Sequence, residues 1–195
     1  MSIILYGRRH LYLAGFMGTG KSAVGTMVAR KLHCAFYDLD NVVIDIARRP
    51  IDQIFRLEGE TAFRQYEAKA LRSIVVSAGA VIALGGGAPT IPMVADILRR
   101  TGRTVLLTAE WPAIWQRIKD DGSRPLLAAV LGDADPDSAS RFERFVVHSD
   151  PILQRRQAAY HAIAHWTIDT THLSREEAAD QIVALWRTPD AGQSD

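Results

Sequence analysis

The sequence has 195 residues, 48% of them hydrophobic and 23% charged, which is typical of one globular domain with a sizeable core. Its formal net charge is +1, from 23 basic and 22 acidic residues, so charge gives no general attraction to nucleic acid or to an anionic membrane. No stretch approaches the roughly 20 apolar residues of a membrane-spanning helix. The single cysteine, Cys34, and the lack of an export signal favour a cytoplasmic protein.

The first predicted strand, over residues 10–14, leads directly into a phosphate-binding motif. Residues 15–22 read G-x-x-x-x-G-K-[ST], and a helix pattern over 21–32 follows. Backbone N–H groups of such a loop point at phosphate oxygens near the positive end of the helix dipole. Lys21 can reach the β- and γ-phosphates, and the hydroxyl of Ser22 can bind Mg²⁺. We therefore expect a nucleoside triphosphate to bind to Gly18, Thr19, Gly20, Lys21, Ser22 and Ala23.

Two aspartates follow the second predicted strand, which covers residues 35–37. Asp38 and Asp40 stand just past its carboxyl end, where ligands bind in open α/β sheets. Asp38 could help to hold Mg²⁺ through water, and Asp40 could accept hydrogen bonds from a substrate hydroxyl and take its proton. The alternative is that one of the two only caps a helix beginning at Asn41.

Helices are predicted over 41–47, over 51–57 and from there to about residue 77. Arg64 falls off the apolar face of the last helix, and Glu67 follows it at i+3, so an intrahelical ion pair is available. The pattern alone favours a solvated helix arginine over a ligand-binding one.

The third predicted strand, over 80–84, ends in three consecutive glycines, residues 85–87. Such a run costs conformational entropy and is typical of a backbone lying against a ligand, although a flexible turn is the alternative. Further along, the pattern predicts a helix over 92–100, a strand over 104–107 and a helix over 112–119 that carries core tryptophans.

Residues 119–140 have loop composition and are predicted to form a mobile lid. A helix resumes near Arg141, and we expect it to break around Pro151 before it continues through Tyr160. A fifth strand is predicted over 166–169.

The last predicted helix begins at the capping box Ser174–Glu177 and runs to residue 186. The elements predict an α/β fold, a five-stranded parallel sheet flanked by helices on both faces. They form a single domain over 1–187, with a flexible tail over 188–195. The phosphate-binding loop, the aspartate pair and the glycine triplet all follow strand ends, so we expect them to meet at one edge of the sheet.

Taken together, the motifs of this chain resemble those of the shikimate kinase family of P-loop kinases. The matching motifs appear in family order and cover most of residues 10–186. The F-R-x-x-E, G-G-G-A and R-P-L-L segments are much more specific than the phosphate-binding loop. The matching residues are 15–22 with Gly25, 38–40, 54–55, 58–60, 63–67, 84–88, 124–127, and Arg156 with Tyr160.

This resemblance implies a P-loop kinase fold with a lid, ATP and Mg²⁺ as cofactors, and phosphorylation of shikimate at its 3-hydroxyl in aromatic amino-acid synthesis. It implies that Asp40 binds the shikimate hydroxyls and acts as base, and that Gly86 offers its backbone amide. Arg64 and Arg156 would grip the substrate carboxylate, with Arg155 as the neighbouring candidate.

The resemblance also places Arg124 of the lid over the transferring phosphoryl group and Arg117 near the adenine. Lys21, Asp40 and Arg124 would then be the catalytic residues, with Ser22 and Asp38 at the metal. Two alternatives stay open: a related kinase of another small hydroxy acid such as gluconate, and a non-catalytic ATP-binding regulatory module. A monomer is expected, because no apolar stripe is left over for a partner.

Overall fold

Five parallel strands form one sheet in the computed structural model, which describes residues 9–120 and 138–188. The sheet order is β2-β3-β1-β4-β5, and Leu13 of the central strand pairs with Ala83 on one side and Val105 on the other. The predicted five-stranded parallel sheet is therefore confirmed. The strands are β1 (His10–Gly15), β2 (Ala35–Asp38), β3 (Ala80–Ala83), β4 (Gly102–Thr108) and β5 (Trp166–Asp169).

Helices cover both faces of this sheet. Along β1 the side chains alternate, so Leu11 and Leu13 pack under α1 and α7, while Tyr12 and Ala14 face the core under α2, α3, α4 and α6. Because both faces are covered, every residue of β1 is buried. In the described ranges the helices are α1 (Lys21–Leu32), α2 (Leu39–Ala47), α3 (Ile51–Val75), α4 (Pro92–Thr101), α5 (Trp111–Ile118), α6 (Ser138–Ile163) and α7 (Arg175–Arg187), with a short 3₁₀ turn at Ala88–Thr90.

The predicted break at Pro151 is wrong, because α6 runs without interruption from Ser138 to Ile163. Pro151 has no N–H to give to the carbonyl of Val147, one turn earlier. Val147 is 69% exposed, so this turn of the helix faces the solvent. Phe145 and Tyr160, on either side of the proline, are both buried, Phe145 in a cluster with Trp115 and Tyr160 in the core cluster that includes Tyr12, so each half of the helix is held by its own contacts.

The two helices predicted over 51–77 form the single element α3, which is kinked at Gly59. Gly59 has φ 82° and ψ 175°, a backbone conformation that residues with a side chain rarely adopt. The kink separates the turn that carries Glu58 from the longer second half, which carries Arg64.

A third apolar cluster joins α5 and α6 to the loop after β1. Trp115 is buried against Phe145, and Trp111 meets the rings of Phe16 and Phe145 edge-on. This confirms the predicted core position of the tryptophans and anchors the phosphate-binding loop through Phe16. Within the described ranges no helix is both long enough and apolar enough to cross a bilayer.

Candidate active site

The loop between β1 and α1 has the backbone conformation that its glycines predict. Gly15, Gly18 and Gly20 have φ values of 140°, 76° and 99°, in the left-handed region. A side chain on Gly15 would also collide with the carbonyl oxygen of Leu107. The hydroxyl of Thr19 donates to the carbonyl of Phe16 at 2.8 Å and closes the loop on itself.

The amine of Lys21 lies across this loop. Its Nζ donates to the carbonyl oxygens of Gly15 and Phe16, at 2.8 and 2.9 Å. The positive charge is therefore held beside the backbone that begins the phosphate-binding turn, at the N-terminus of α1.

Asp38 connects the end of β2 to the loop. Its Oδ2 accepts a hydrogen bond from the Ser22 hydroxyl at 2.5 Å, and its Oδ1 accepts from the backbone N–H of Asp40 at 3.1 Å. The second bond caps α2, which begins at Leu39 and not at Asn41. Asp38 is thus a helix cap, and its second oxygen pairs with the Ser22 hydroxyl beside the phosphate-binding loop.

The glycine triplet after β3 is surrounded by charged side chains from three helices, and each glycine is approached by at least one of them. A Cβ on Gly85 would lie 2.6 Å from Glu67 Oε1 and 2.9 Å from Asp40 Oδ1. A Cβ on Gly86 would lie 3.1 Å from Arg156 Nη1, and one on Gly87 would lie 2.5 Å from Arg64 Nη1. The triplet therefore lets these charged groups close on the backbone, which is a more specific reason for glycine than a flexible turn.

Gly86 also links this cluster to the phosphate-binding loop. Its carbonyl accepts a 2.6 Å hydrogen bond from the Tyr160 hydroxyl, and its Cβ position lies 3.9 Å from the carbonyl oxygen of Gly15. The charged cluster and the phosphate-binding loop are therefore adjacent parts of one site.

Arg64 is held by two carboxylates of its own helix. Nη1 donates to Glu67 Oε2 at 2.6 Å, while Nε and Nη2 donate to Glu60 Oε1 at 3.2 and 2.8 Å. Its side chain is only 22% exposed. The predicted i+3 ion pair is confirmed, and the interpretation of Arg64 as a solvated surface arginine is wrong.

Glu67 is a fully buried acid that the sequence interpretation treated only as a partner for Arg64. Burial raises the pKa of its carboxyl to about 7, the charge of Asp40 adds to the rise, and Arg64 and Arg156 oppose it. Its Oε1 has no hydrogen-bond partner among the described residues. The sequence carried one signal for it, an acidic residue at the centre of the apolar face of α3.

On the other side of the loop, Arg117 reaches over from α5. Its Nη1 donates to the carbonyl of Gly18 at 3.2 Å, and its Nη2 donates to the carbonyl of Thr170 at 2.5 Å. The hydroxyl of Thr170 lies 3.1 Å from Arg117 Nη1 and 3.1 Å from the carbonyl of Thr19. Thr170 was missed, although it directly follows β5 as Asp38 and the glycines follow their strands.

The remaining predicted residues divide into two groups. Arg156 lies beside Gly86, whereas Arg155 is exposed and its Nε donates to the carbonyl of Pro151 in its own helix. Arg124 and most of the predicted lid, residues 121–137, lie outside the described residues, as does the tail over 189–195.

A phosphate-binding loop after the central strand of this parallel sheet, with acidic and basic side chains around the next strand end, defines a P-loop kinase. Comparison with known proteins gives the same class. A family model described as "Shikimate kinase" matches residues 17–187. The chain therefore belongs to the shikimate kinase family, as its resemblance predicted.

Individual relatives support this membership across nearly the whole chain. The shikimate kinase of Geobacter sulfurreducens is 37% identical over 179 residues, 92% of this chain and 91% of the relative. The shikimate kinase of Dechloromonas aromatica is 33% identical over 85% of this chain and 84% of its own. Among solved structures, the shikimate kinase of Acinetobacter baumannii in complex with shikimate has a TM-score of 0.79 at 29% identity, covering 93% of this chain and 94% of that one.

Proposed function

We propose that this protein transfers the γ-phosphoryl group of ATP to the 3-hydroxyl of shikimate, giving shikimate 3-phosphate and ADP. The observation that carries the proposal is that Arg64 and Arg156 both reach the glycine triplet, which also adjoins Asp40 and the phosphate-binding loop. Such a place suits a small acid that must present a hydroxyl to a bound triphosphate.

The substrate roles follow from the chemistry of these side chains. Arg64 and Arg156 bind the carboxylate through planar, permanently charged guanidinium groups, and Gly86 offers its backbone amide. Asp40 accepts hydrogen bonds from the ring hydroxyls and takes the proton of the attacking one. The hydroxyl oxygen forms a bond to the γ-phosphorus while the bond to the leaving oxygen of ADP breaks.

The nucleotide roles belong to the loop and to two arginines. The backbone of residues 18–23 cradles the phosphates, and Lys21 neutralises charge on the β- and γ-phosphates. Arg117 is held beside Gly18 and Thr170 and is proposed to contact the adenine. Arg124 of the lid is proposed to stabilise the transferring phosphoryl group.

The residues present also suit Mg²⁺. Ser22 and Asp38 supply two hard oxygen ligands next to the loop, and the described residues contain no group of three or more His, Cys, Asp or Glu that could hold a metal alone. Mg²⁺ binds through few protein oxygens, with phosphate oxygens and waters completing its shell. When bound, it neutralises charge on the phosphates. The cytoplasmic location and the monomeric state stay predictions.

The test is coupled ADP release with Mg-ATP and a panel of shikimate, quinate and gluconate, run beside Arg64→Ala. We expect turnover on shikimate that collapses in the variant. Turnover on another acid alone would keep the kinase mechanism and move the substrate. ATP binding without turnover on any acid would favour the regulatory module.

A further inference from the structure

The two carboxylates that bind Arg64, those of Glu60 and Glu67, differ in how easily they can move away from it. The Glu67 side chain is 0% exposed, whereas that of Glu60 is 67% exposed. The Glu67 carboxylate has no free path to solvent, because the residue is fully buried. The Glu60 carboxylate can rotate into water and keep its hydration.

Glu60 also occupies a particular part of the guanidinium group. A single oxygen, Oε1, accepts from both Nε and Nη2, and these two atoms form one of the two edges on which arginine binds a carboxylate bidentately. Glu67 uses only Nη1. Glu60 therefore occupies a guanidinium edge of Arg64 to which a substrate carboxylate could bind with both of its oxygens.

Charge balance argues in the same direction. Arg64 and Arg156 together carry two positive charges, and Glu60, Glu67 and a substrate carboxylate would together carry up to three negative ones, before Asp40 is counted. If the substrate carboxylate replaces that of Glu60, the two arginines face, apart from Asp40, two carboxylates at most.

We propose that Glu60 is a stand-in for the substrate carboxylate: it holds the guanidinium of Arg64 in place while the site is empty and is displaced when the acid binds. This inference rests on the proposed function, in which Arg64 binds the carboxylate. Glu60 then sets the affinity of the site, because every acidic substrate must compete with it for Arg64, whereas a ligand without a carboxylate leaves it in place.

The test is the dissociation constant of shikimate, measured by calorimetry on the full chain, for wild type and Glu60→Gln. The glutamine keeps the size of the side chain but competes less well for Arg64, so we expect the Kd to fall about two- to fivefold, the range of an exposed ion pair. The neutral methyl ester of shikimate should show no such gain. A Kd that is unchanged or higher would overturn the proposal, since a residue that merely supports Arg64 weakens binding when it is altered.

Glu58→Gln is the matched control. Glu58 lies two residues earlier on the same helix and carries the same charge, but it pairs with Arg49 and Tyr66. An equal fall in Kd for this variant would assign the effect to long-range charge and overturn the proposal. Arg64→Ala separates the two hypotheses: if its affinity for shikimate is normal, the proposed function fails as well, whereas lost affinity with an unchanged Glu60→Gln variant overturns the stand-in alone.

Discussion

The buried carboxyl of Glu67 should make the stability of the protein fall as the pH rises from mildly acidic to neutral. Its pKa is raised from the ordinary value of 4.5 to about 7, chiefly because burial disfavours the ionised form. Between these two values the folded protein binds more protons than the unfolded chain. The free energy of unfolding therefore decreases with pH, and the stabilisation present below pH 4.5 is lost as the pH passes about 7.

The size of this effect follows from the shift. A rise from 4.5 to about 7 corresponds to about 3 kcal/mol at roughly 1.4 kcal/mol for each pH unit. The measurement is urea unfolding of wild type and Glu67→Gln at several pH values from 5 to 8. Because the two proteins share all other titrating groups, the difference between their free energies of unfolding isolates Glu67.

We expect that difference to change by about 2 to 3 kcal/mol across this range, in favour of the glutamine variant at high pH. The substitution also weakens the contact with Arg64, which lowers the free energy of unfolding by a constant amount. That constant does not affect how the difference between the two proteins changes with pH. A difference that stays constant from pH 5 to 8 would refute the reasoning, since it would mean that Arg64 keeps Glu67 ionised despite its burial.

Three further predictions concern the substrate site, the nucleotide site and the last helix. Gly87→Ala places a Cβ 2.5 Å from Arg64 Nη1, so the KM for shikimate should rise about tenfold or more in a steady-state assay while the KM for ATP stays unchanged. Thr170→Val removes the hydroxyl beside Arg117, so the KM for ATP should rise about two- to tenfold, and Thr170→Ser should restore it. Ser174→Ala removes the N-cap of α7 and should cost about 1 kcal/mol in urea unfolding, with kcat unchanged.

Each of these has its own contradicting outcome. An unchanged KM for shikimate in the Gly87→Ala variant would mean that shikimate binding does not depend on the position of Arg64 beside the glycine triplet. A higher KM for shikimate, but not for ATP, in the Thr170→Val variant would show that this hydroxyl supports shikimate binding and not nucleotide binding. An unchanged unfolding curve for the Ser174 variant would show that the end of α7 is held by packing alone.

The strands and the phosphate-binding loop could be predicted because their signals are local. The strands are short segments with apolar centres, and three of them have Gly15, Asp38 or Gly102 at one end. The predicted and observed bounds differ by at most two residues at either end. The prediction for α6 was wrong at Pro151 because the sequence shows only the hydrogen bond that a proline removes from a helix. The contacts of Phe145 and Tyr160 that outweigh this loss are with distant parts of the chain.

The site could be predicted as a set of residues but not as a set of contacts. Asp38 was expected either to cap a helix or to face the metal. In the structure its Oδ1 caps α2, and its Oδ2 contacts the hydroxyl of Ser22. Glu67 acquires its raised pKa only when α3 packs its apolar face against the sheet. Such properties arise from burial, which the pattern indicates but does not measure.

The sheet order explains why three strand ends suffice to bring the reacting groups together. Because β3 lies between β2 and β1, the glycine triplet that follows β3 stands between Asp40 after β2 and the phosphate-binding loop after β1. In the proposed function, a substrate on the triplet would have Asp40 on one side and the triphosphate on the other, which is the arrangement that a hydroxyl needs to lose its proton while it attacks phosphorus. The absence of side chains on the triplet then lets Arg64 from α3 and Arg156 from α6 close on the same seat.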